Sequence, residues 1–351
     1  MPSDFRTIAI EIANGIKSGT YRGTLPSISR LSKHFGVCPA TIKRLLAQLR
    51  DWDLVNGEIG RCVRINPKAE GNEFFHKNIV ILVSLYSVSM PFFEDTLTVL
   101  TNMLSKHYMT PHVFFTTDQI HECRFVPDCI LAVSNTSQTM LEAILERFPD
   151  CPVVRFVYSD DNYPAVLPDS RSTGYEAIRH LAEDCGHTHI GIIATQLQYK
   201  NVCFSQRYEG ALEYAAMHPE IKLSMVEVHE LEMFSHSSFH GMEQLMANDP
   251  KITAVFASND MLALGVYSYV FQHNLRIPED LAVIGCDNLE LCKCLMPALT
   301  SFQEDVNNVA KLLFQQFIDT LQGRKPQKVL MTKPTLIVRG STQKSKFLFD
   351  K

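Results

Sequence analysis

The spacing of apolar residues near the amino terminus predicts three helices. Each stretch repeats an apolar side chain every three or four positions, which places those side chains on one helix face. The predicted helices cover 8–17, 28–35 and 39–52. Ser27 is a suitable cap for the second helix, and Gly36 suits the left-handed residue that ends it. The first part of the chain is therefore predicted to be a small helical domain.

The third predicted helix has an apolar face and a basic face. The side chains on or beside the basic face are small or cationic: Ala40, Thr41, Lys43 and Arg44. A helix that enters the major groove of DNA needs little bulk near the groove floor and cations that reach phosphates or guanine edges. For this helix taken alone, an ordinary surface helix with solvated charges is the alternative.

The residues after the third helix predict a β-hairpin. Two short apolar segments, 54–55 and 62–65, flank a glycine-containing turn. Such a hairpin beside a recognition helix is a wing, and an arginine at its tip can contact the DNA backbone or minor groove. We therefore predict one set of DNA-binding residues: Ser27, Arg30, Ala40, Thr41, Lys43, Arg44, Gly60 and Arg61.

From residue 79 onward, short apolar runs alternate with stretches of helical periodicity. The runs are 79–83, 113–115, 129–133, 153–157, 190–193, 226–228, 254–257 and 282–284. This alternation predicts an α/β body of doubly wound parallel sheets arranged in two lobes. A polar stretch with Pro67 and Gly71 precedes the first run. We expect a winged helix-turn-helix domain over 1–65, a linker over 66–77 and the two-lobed body over 78–344.

Charge supports this division of the chain. The first 65 residues hold ten basic and five acidic side chains, a net charge of +5, and the remainder carries −10 because the whole chain carries −5. A basic head on an acidic body is typical of a nucleic-acid-binding protein, although chance clustering is the alternative. No apolar run is long enough to span a bilayer, and residues 1–6 lack the order of a signal peptide, so we expect a cytoplasmic protein.

The sequence contains no arrangement typical of an enzyme. A Walker-type loop and a Gly-x-Ser-x-Gly elbow are both missing. The ten cysteines form no Cys-x-x-Cys pair, and we expect reduced thiols. His236 and His240 are four residues apart, but no third metal ligand lies in register with them. We therefore expect no catalytic residues, no metal and no cofactor.

The head carries motifs of a known family. They are Tyr21-Arg22-Gly23-Thr24-Leu25-Pro26-Ser27-Ile28, Phe35-Gly36-Val37 and Thr41-Ile42-Lys43-Arg44. Together they resemble the winged helix-turn-helix of the GntR family, over about the first 65 residues. The chain departs from that family at Ser29 and Pro39, where an arginine is common. The resemblance implies a DNA-binding role and leaves the operator sequence open.

The body carries a second ordered set of motifs. They include His180-Leu181, Gly186-His187, Arg207 with Gly210-Ala211, Ser258-Asn259-Asp260 and Gly285-Cys286-Asp287-Asn288. In this order they resemble the effector-binding domain of the LacI/GalR family. The resemblance implies a fold related to periplasmic sugar-binding proteins, with an effector in the cleft between two lobes. The chain is then expected to cross between lobes near 164–169, 297–300 and 323–328.

The same resemblance implies which residues contact the effector. The candidates are Phe92, Phe93, Arg207, Phe234, Asn259 and Asp287. Asp287 can accept bonds from two hydroxyl groups, and Arg207 can donate a fork to hydroxyl or ring oxygens. A structural ion pair is the alternative role for Arg207, and core packing is the alternative for the two phenylalanines of the first body helix.

Together these observations predict a ligand-responsive bacterial transcriptional regulator. The favoured form is a repressor that binds an inverted-repeat operator as a homodimer and responds to a sugar or similar polyhydroxy effector. An activator or a corepressor-dependent regulator is the alternative within this class. A cytosolic sugar-binding module or a sugar-modifying enzyme is the alternative from another class, and neither would need the basic helix and wing.

Overall fold

Two units make up the chain, and each is described by itself. The computed structural model describes residues 5–57, 62–84, 91–134, 137–160, 162–195, 197–198, 202–228 and 234–343. The head unit comprises Met1–Ile79 and Asn102–Pro111. The body unit comprises Val80–Thr101 and His112–Lys351. No helix among the described residues is long and apolar enough to cross a membrane.

The head unit contains the three helices expected from the apolar spacing. They are α1 (Phe5–Lys17), α2 (Ile28–Phe35) and α3 (Pro39–Asp51). Their apolar faces meet in one core, in which each of these side chains is at most 2% exposed: Ile8, Ile12, Ile16, Leu31, Ile42, Leu45, Leu46 and Leu49. The opposite face of α3 is therefore free to carry polar and basic side chains.

Local signals in the sequence set the ends of α2 and α3. The Ser27 hydroxyl oxygen accepts a hydrogen bond from the backbone N–H of Arg30, and Gly36 ends α2 with a φ of 65°. Cys38 precedes α3 without a side-chain cap, and Pro39 occupies the first turn. Proline is tolerated there because its missing N–H would have no intrahelical partner.

A two-stranded antiparallel hairpin follows α3. It pairs β1 (Val55–Asn56) with β2 (Arg64–Ile65). The chain before α2 lies beside this hairpin, since the backbone N–H of Leu25 donates to the carbonyl oxygen of Val63 at 3.0 Å. The hairpin agrees with the expected wing, while its tip, 58–61, lies outside the described residues.

The segment 66–77 folds against the head. Ala69 and Phe75 are almost fully buried in the head core. The backbone N–H of Gly71 donates to the carbonyl oxygen of Ile16 at 3.0 Å, and a Glu70 carboxylate oxygen accepts from a backbone N–H at 2.9 Å. This segment is therefore part of the head unit rather than a free connection.

The first lobe is built on a six-stranded sheet. Its strands are β3 (Asn78–Leu82), β4 (Thr110–Phe114), β5 (Cys129–Val133), β6 (Val153–Phe156), β7 (Ala165–Pro168) and β13 (Val329–Thr332). Its helices are α4 (Pro91–Lys106), α5 (Thr117–His121), α6 (Gln138–Arg147) and α12 (Val306–Leu321). The strand order is β13-β7-β6-β5-β3-β4, and β5, β6, β7 and β13 pair in parallel.

The second lobe repeats this architecture. Its strands are β8 (His189–Ala194), β9 (Lys222–Glu227), β10 (Ala254–Ala257), β11 (Ala282–Cys286), β12 (Thr300–Gln303) and β14 (Thr335–Ile337). Its helices are α7 (Ser170–Arg179), which continues as a π-helical turn, α8 (Cys203–Met217), α9 (Phe234–Asn248), α10 (Asp260–Gln272) and α11 (Leu291–Cys294). The order is β14-β12-β11-β10-β8-β9, and the described pairs are parallel except β12 with β14.

Within the described ranges the chain crosses between the lobes three times, but two crossings differ from those predicted. The first lies between β7 and α7, inside the predicted 164–169. The second follows β12, because α12 packs on strands of the first sheet, so the prediction of 297–300 is wrong. The third lies between β13 and β14, so the prediction of 323–328 is also wrong. Proline and glycine mark local turns, whereas lobe membership depends on distant strand pairing.

Candidate functional site

Polar side chains gather where the strands of the second lobe end. Thr195 follows β8, Asn259 follows β10, Asp287 follows β11 and Glu304 follows β12. The carboxyl ends of parallel strands lie on one edge of a sheet, and this edge is where open α/β folds bind ligands. We call these four residues and Arg207 of α8 the polar edge.

Arg207 ties the polar edge together. It is only 6% exposed, and its Nη1 donates to the Ser258 carbonyl oxygen at 2.5 Å. Its Nη2 donates to Asp287 Oδ1 at 3.3 Å, and its guanidinium carbon lies 5.7 Å from the ring centroid of Phe204. Its Nε is buried without a hydrogen-bond partner in the described structure. The ion pair that sequence reasoning allowed is present, and one guanidinium nitrogen, Nε, has no acceptor among the described residues.

Close helix packing fixes the position of Arg207. A Cβ added to Gly174 of α7 would lie 1.7 Å from the Arg207 carbonyl oxygen. Likewise, a Cβ on Gly210 of α8 would lie 1.9 Å from the Arg171 carbonyl oxygen. These distances are far below van der Waals contact, so both positions require glycine. The packing of α7 on α8 therefore sets where the guanidinium group lies.

Asn259 has one structural bond and one unused donor. Its Oδ1 accepts from the backbone N–H of Leu262 at 2.8 Å, which caps α10. Its Nδ2 is buried and has no hydrogen-bond partner among the described residues. A buried amide without an acceptor costs free energy unless a ligand or a water supplies one. The side chain is therefore suited to donate to a ligand oxygen.

Asp287 is held in an unusual backbone conformation. Its φ of 110° lies in the region that favours glycine, and its backbone N–H donates to the Phe302 carbonyl oxygen at 2.9 Å. Such strain costs about 1–3 kcal/mol and concentrates at functional sites. Burial raises the pKa of the Asp287 carboxyl, and the Arg207 guanidinium opposes that increase. The Arg207 guanidinium therefore favours the charged form of this carboxyl group, and burial disfavours it.

A buried carboxyl group supports the turn that carries Asp287. Asp260 accepts from Ser301 Oγ at 2.7 Å, from the Leu289 backbone N–H at 2.8 Å and from Cys292 Sγ at 3.0 Å. Burial and the Asp287 carboxylate raise the pKa of Asp260 to about 7, against the effect of these donors. Asp260 thus joins α10, β12 and the loop after β11.

Glu304 belongs to the polar edge, and sequence reasoning missed it. Its Oε2 accepts from Thr332 Oγ1 at 2.9 Å, so it links the second crossing to the end of β13. Its Oε1 is buried without a donor in the described part of the chain. Burial raises the pKa of Glu304 to about 7, and Asp287 and Asp169 add to that increase. The missed signal was an acid directly after β12, which the misplaced second crossing concealed.

The first lobe contributes aromatic rather than polar side chains. Phe92 and Phe93 begin α4, are half-buried, and lie 5.8 and 5.7 Å from Phe156 of β6 between ring centroids. This contact agrees with the core-packing alternative for part of each ring. The predicted contact residue Phe234 begins α9, but its side chain lies outside the described residues.

The first lobe also buries an arginine that sequence reasoning missed. Arg155 of β6 is 0% exposed and pairs with Asp160 at 2.5 Å and with Gln138 Oε1 at 2.6 Å. Its guanidinium carbon lies 5.1 and 5.8 Å from the ring centroids of Tyr158 and Tyr163. These contacts bind the loop after β6 to the start of α6. An arginine within an apolar strand gave no periodic signal of this role.

The predicted DNA-binding residues differ in how free they are. Lys43, Arg30 and Ala40 are exposed on the head. The Arg44 guanidinium carbon lies 5.1 Å from the ring centroid of Phe5, which holds that side chain against α1. Lys43 is thus the freer cation of α3.

The other four predicted DNA-binding residues have structural partners or lie outside the described residues. Ser27 caps α2. Thr41 is half-buried, and its Oγ1 lies 3.3 Å from Cys38 Sγ. Gly60 and Arg61 are outside the described residues.

The paired histidines of α9 do have a carboxylate neighbour. The rings of His236 and His240 are 4.7 Å apart between centroids, and His240 Nδ1 lies 2.7 Å from Glu243 Oε2. Glu243 is therefore a carboxylate partner of His240 on the same helix. No group of three or more histidine, cysteine or acidic residues that could hold a metal occurs among the described residues.

Curated relatives with similar sequences are named as repressors. The chain is 28% identical over 222 residues to the HTH-type transcriptional repressor PurR of Vibrio campbellii and 29% identical over 220 residues to the ribose operon repressor of Escherichia coli. Each match covers 62% of this chain and 65% of the relative, so the chain spans just under two thirds of their length. A PurR of Aliivibrio fischeri is 25% identical over 87% of this chain and 90% of its own length.

Solved structures of the same fold include sugar complexes. A LacI family regulator from Enterococcus faecium with bound ribose has a TM-score of 0.63 and 22% identity, over 76% of this chain and 98% of its own. The regulator CelR in complex with cellobiose has a TM-score of 0.65 and 18% identity, over 90% of this chain and 100% of its own. The family model described as a periplasmic binding protein-like domain matches residues 178–342. The body of this chain therefore has the periplasmic-binding-protein-like fold.

Proposed function

We propose that this chain is a cytoplasmic, ligand-responsive transcriptional repressor, with a DNA-binding head and a body that binds a sugar or similar polyhydroxy effector. The relatives with similar sequences are named as repressors, and structures of the same fold hold ribose and cellobiose. The proposed domains are those expected from the sequence, with the segment 66–77 assigned to the head. In this proposal the protein is a regulator and has no enzymatic activity.

The polar edge carries this proposal. Arg207 Nε and Asn259 Nδ2 are donors without acceptors, and Glu304 Oε1 is an acceptor without a donor, within the described structure. All three atoms are buried. A hydroxyl group is both a donor and an acceptor, so one polyhydroxy ligand can satisfy all three atoms. A purely anionic or purely apolar ligand would leave at least one of them unsatisfied.

Phe92 and Phe93 are proposed to give the effector an apolar contact. The C–H faces of a sugar ring are apolar, and half-buried aromatic rings provide large apolar area at low entropic cost. The remaining predicted contact, Phe234, is kept as a proposal on the sequence resemblance alone. The effector is thereby bound by polar groups of one lobe and aromatic groups of the other, which favours a closed arrangement of the lobes.

The head is proposed to be a GntR-type winged helix-turn-helix in which α3 enters the major groove. The order α1-α2-α3 followed by an antiparallel hairpin supports this proposal, as do the motifs before α3. Lys43, Arg44, Ala40 and Thr41 would lie along the groove, with Ser27 and Arg30 near the phosphates. Gly60 and Arg61 would contact DNA from the wing.

Homodimer formation is proposed through the second lobe. Phe271 is 87% exposed and Met296 is 92% exposed, and both line a groove of about 1070 Å³ between α10 and α11. Large apolar side chains at such exposure mark protein interaction surfaces. A two-fold dimer would present two heads to an inverted-repeat operator.

A thermal-shift screen tests the effector part of this proposal. Purified full-length protein is heated with D-ribose, D-xylulose, lactose or cellobiose. A ligand that binds only the native state raises the unfolding midpoint. We expect at least one of these sugars to raise the midpoint of the wild type and none to raise that of an Arg207→Ala variant to the same extent. Equal midpoints with and without every sugar would contradict the proposed effector class.

DNA binding is tested on duplexes selected from a random pool. Lys43→Ala is expected to weaken binding by about 1–3 kcal/mol if Lys43 contacts a base, or to lower the salt dependence by about one ion if it contacts a phosphate. Lys222→Ala, an exposed lysine of the body, is the matched control. Unchanged binding by the Lys43 variant across a salt series would exclude α3 as the recognition helix.

The same duplex distinguishes a repressor from the alternative of an activator or corepressor-dependent regulator. A ligand shifts an equilibrium only through different affinities for its two states. A sugar that releases the duplex supports induction of a repressor. A sugar that tightens binding supports the alternative and leaves the effector site intact.

A further inference from the structure

We propose that the contact between Phe75 and Tyr108 is the joint through which the effector state of the body reaches the DNA-binding head. This inference rests on the proposed function, because it takes the start of α4 as part of the effector site. The supporting contacts all lie inside the head unit, which contains both residues. They involve the segment 66–77 and the turn after α4.

Phe75 is a core residue of the head although it lies in the segment expected to be a linker. It is 1% exposed and belongs to the same apolar cluster as α1, α2 and α3. Its ring centroid lies 5.7 Å from that of Tyr108, with the ring planes tilted by 47°. Any displacement of Tyr108 therefore acts directly on a side chain of the head core.

Backbone hydrogen bonds fasten the two segments to each other. The backbone N–H of His76 donates to the Tyr108 carbonyl oxygen at 2.7 Å, and the backbone N–H of Thr110 donates to the Lys77 carbonyl oxygen at 2.8 Å. His76 and Tyr108 both have positive φ, 57° and 60°. Two non-glycine residues in that region are sterically costly, so this geometry persists only where the surroundings enforce it.

Lys68 adds a third contact at the joint. Its Nζ lies 5.6 Å from the centroid of the Tyr108 ring, within the range of a cation–π interaction. The backbone of Lys68 is held in place, because its N–H donates to Asn66 Oδ1 at 3.0 Å. Tyr108 is 39% exposed, and Phe75 and Lys68 both contact its ring.

A single helix joins the proposed effector site to this joint. Phe92 and Phe93 lie in the first turn of α4, and Tyr108 follows its last turn. Residues of α4 up to Thr101 belong to the body unit, and those from Asn102 belong to the head unit. A helix is a rigid element, so a shift at its first turn on effector binding moves its last turn as well.

The test perturbs one end of α4 and measures the response at the other. Full-length protein carries Phe93→Ala, and amide hydrogen exchange is followed over 66–77 by mass spectrometry. We expect exchange in this segment to increase about fivefold relative to wild type, because local opening follows the loss of supporting contacts. Two control backgrounds are Tyr108→Phe, which keeps the ring, and His107→Ala, which changes an exposed neighbour in the same turn. Adding Phe93→Ala to either background is expected to give the same increase.

Tyr108→Ala is expected to abolish this response. Exchange in 66–77 should then change by less than about twofold when Phe93→Ala is added. If Tyr108→Ala lowers the unfolding midpoint of the head, Tyr108→Leu is used in its place. Leucine keeps apolar volume but removes the aromatic face. A fivefold response in either variant would overturn the proposal, as would no response to Phe93→Ala in the wild-type background.

This readout uses neither DNA nor sugar. A wild-type protein that fails to bind DNA or any sugar would contradict the proposed function and leave the exchange result standing. If the protein binds DNA and a sugar but the exchange response over 66–77 does not depend on Tyr108, only the proposed role of the Phe75–Tyr108 contact is contradicted.

Discussion

Each lobe of the body has its own six-stranded sheet and its own buried arginine, but the two arginines have different surroundings. In the second lobe, Arg207 lies among strand ends whose buried polar atoms lack partners, and it pairs with Asp287. In the first lobe, Arg155 lies against two tyrosine rings and pairs with Asp160. Arg155 Nε and Nη1 also lack partners among the described residues, so unpaired donors alone do not distinguish the two lobes. What distinguishes the second lobe is the row of polar side chains at its strand ends, and on this row we base the proposal that it recognises the hydroxyl groups of a ligand. The first lobe instead fixes a loop and offers aromatic surface.

The largest expected effect is a loss of stability when Arg155 loses its carboxylate partner. Asp160→Ala leaves the fully buried Arg155 charge without its carboxylate, which is expected to lower the free energy of unfolding by about 3–5 kcal/mol. The measurement is urea unfolding followed by circular dichroism. Adding Arg155→Met to Asp160→Ala removes the uncompensated charge and is expected to restore most of the loss. A loss below about 1 kcal/mol for the single variant would show that Arg155 is solvated.

The second prediction concerns the polar edge. Asn259→Ser keeps a capping oxygen for α10 but removes the Nδ2 donor. We expect sugar affinity, measured by titration calorimetry, to fall about 10- to 100-fold, since a buried ligand oxygen left without its donor costs about 1–3 kcal/mol. The unfolding midpoint should change little. Unaltered affinity would remove Asn259 from the effector site.

The third prediction uses the raised pKa of Glu304. A carboxyl group whose pKa is about 7 in the folded protein and lower in the unfolded chain binds its proton more tightly when folded. Its contribution to stability is present below the unfolded pKa and is lost as pH rises to about 7.

We expect the free energy of unfolding to fall by about 1–3 kcal/mol between pH 4.5 and pH 8, with other groups adding to this change. Glu304→Gln should flatten that dependence, because the amide does not ionise. An unchanged pH profile in the glutamine variant would indicate that Glu304 is solvated in the native state.

The smallest effect is expected in the first lobe. Phe92→Leu retains apolar volume and loses only aromatic contact, so sugar affinity should fall by about 1 kcal/mol. The comparison of Phe92→Leu with Asn259→Ser is made with the same sugar and buffer. A larger loss at Phe92 than at Asn259 would reverse the assignment of polar recognition to the second lobe.

Elements with local signals were predictable from the sequence. The helices of the head follow the apolar spacing, and Ser27 and Gly36 lie at the ends of α2 as expected. A β-hairpin was predicted from two short apolar segments, and the structure pairs β1 with β2 there. In each case the residues that determine the element lie within the element or beside it.

Elements that depend on distant pairing were not predictable. β7, β12, β13 and β14 are three or four residues long and too short to show periodicity. Their places in the sheets come from neighbours far along the chain, and this is why two lobe crossings were misplaced. Glu304 was missed for the same reason. The burial of Phe75 in the head core also lacks a periodic signal, because Phe74 is the one apolar side chain beside it and the residues flanking this pair are polar or charged.

Within the candidate site, the sequence indicated residue types but not their partners. The structure brings Arg207 and Asp287 together and ties Arg207 to Ser258, next to Asn259. Motif reasoning could name these side chains because each lies directly after a strand or on the adjoining helix. Which polar atoms remain unpaired depends on three-dimensional contacts, and those atoms carry the proposed recognition.

The central claim is that a sugar bound at the polar edge controls DNA binding by the head. One fluorescence anisotropy titration tests it most directly. A labelled duplex from the selected pool is bound by wild type or Asn259→Ser, and the sugar that raises the unfolding midpoint is added. We expect wild type to release the duplex and Asn259→Ser to require at least about tenfold more sugar for the same release. Two results would contradict this account. In one, saturating sugar leaves duplex binding by the wild type unchanged. In the other, wild type and Asn259→Ser release the duplex at the same sugar concentration.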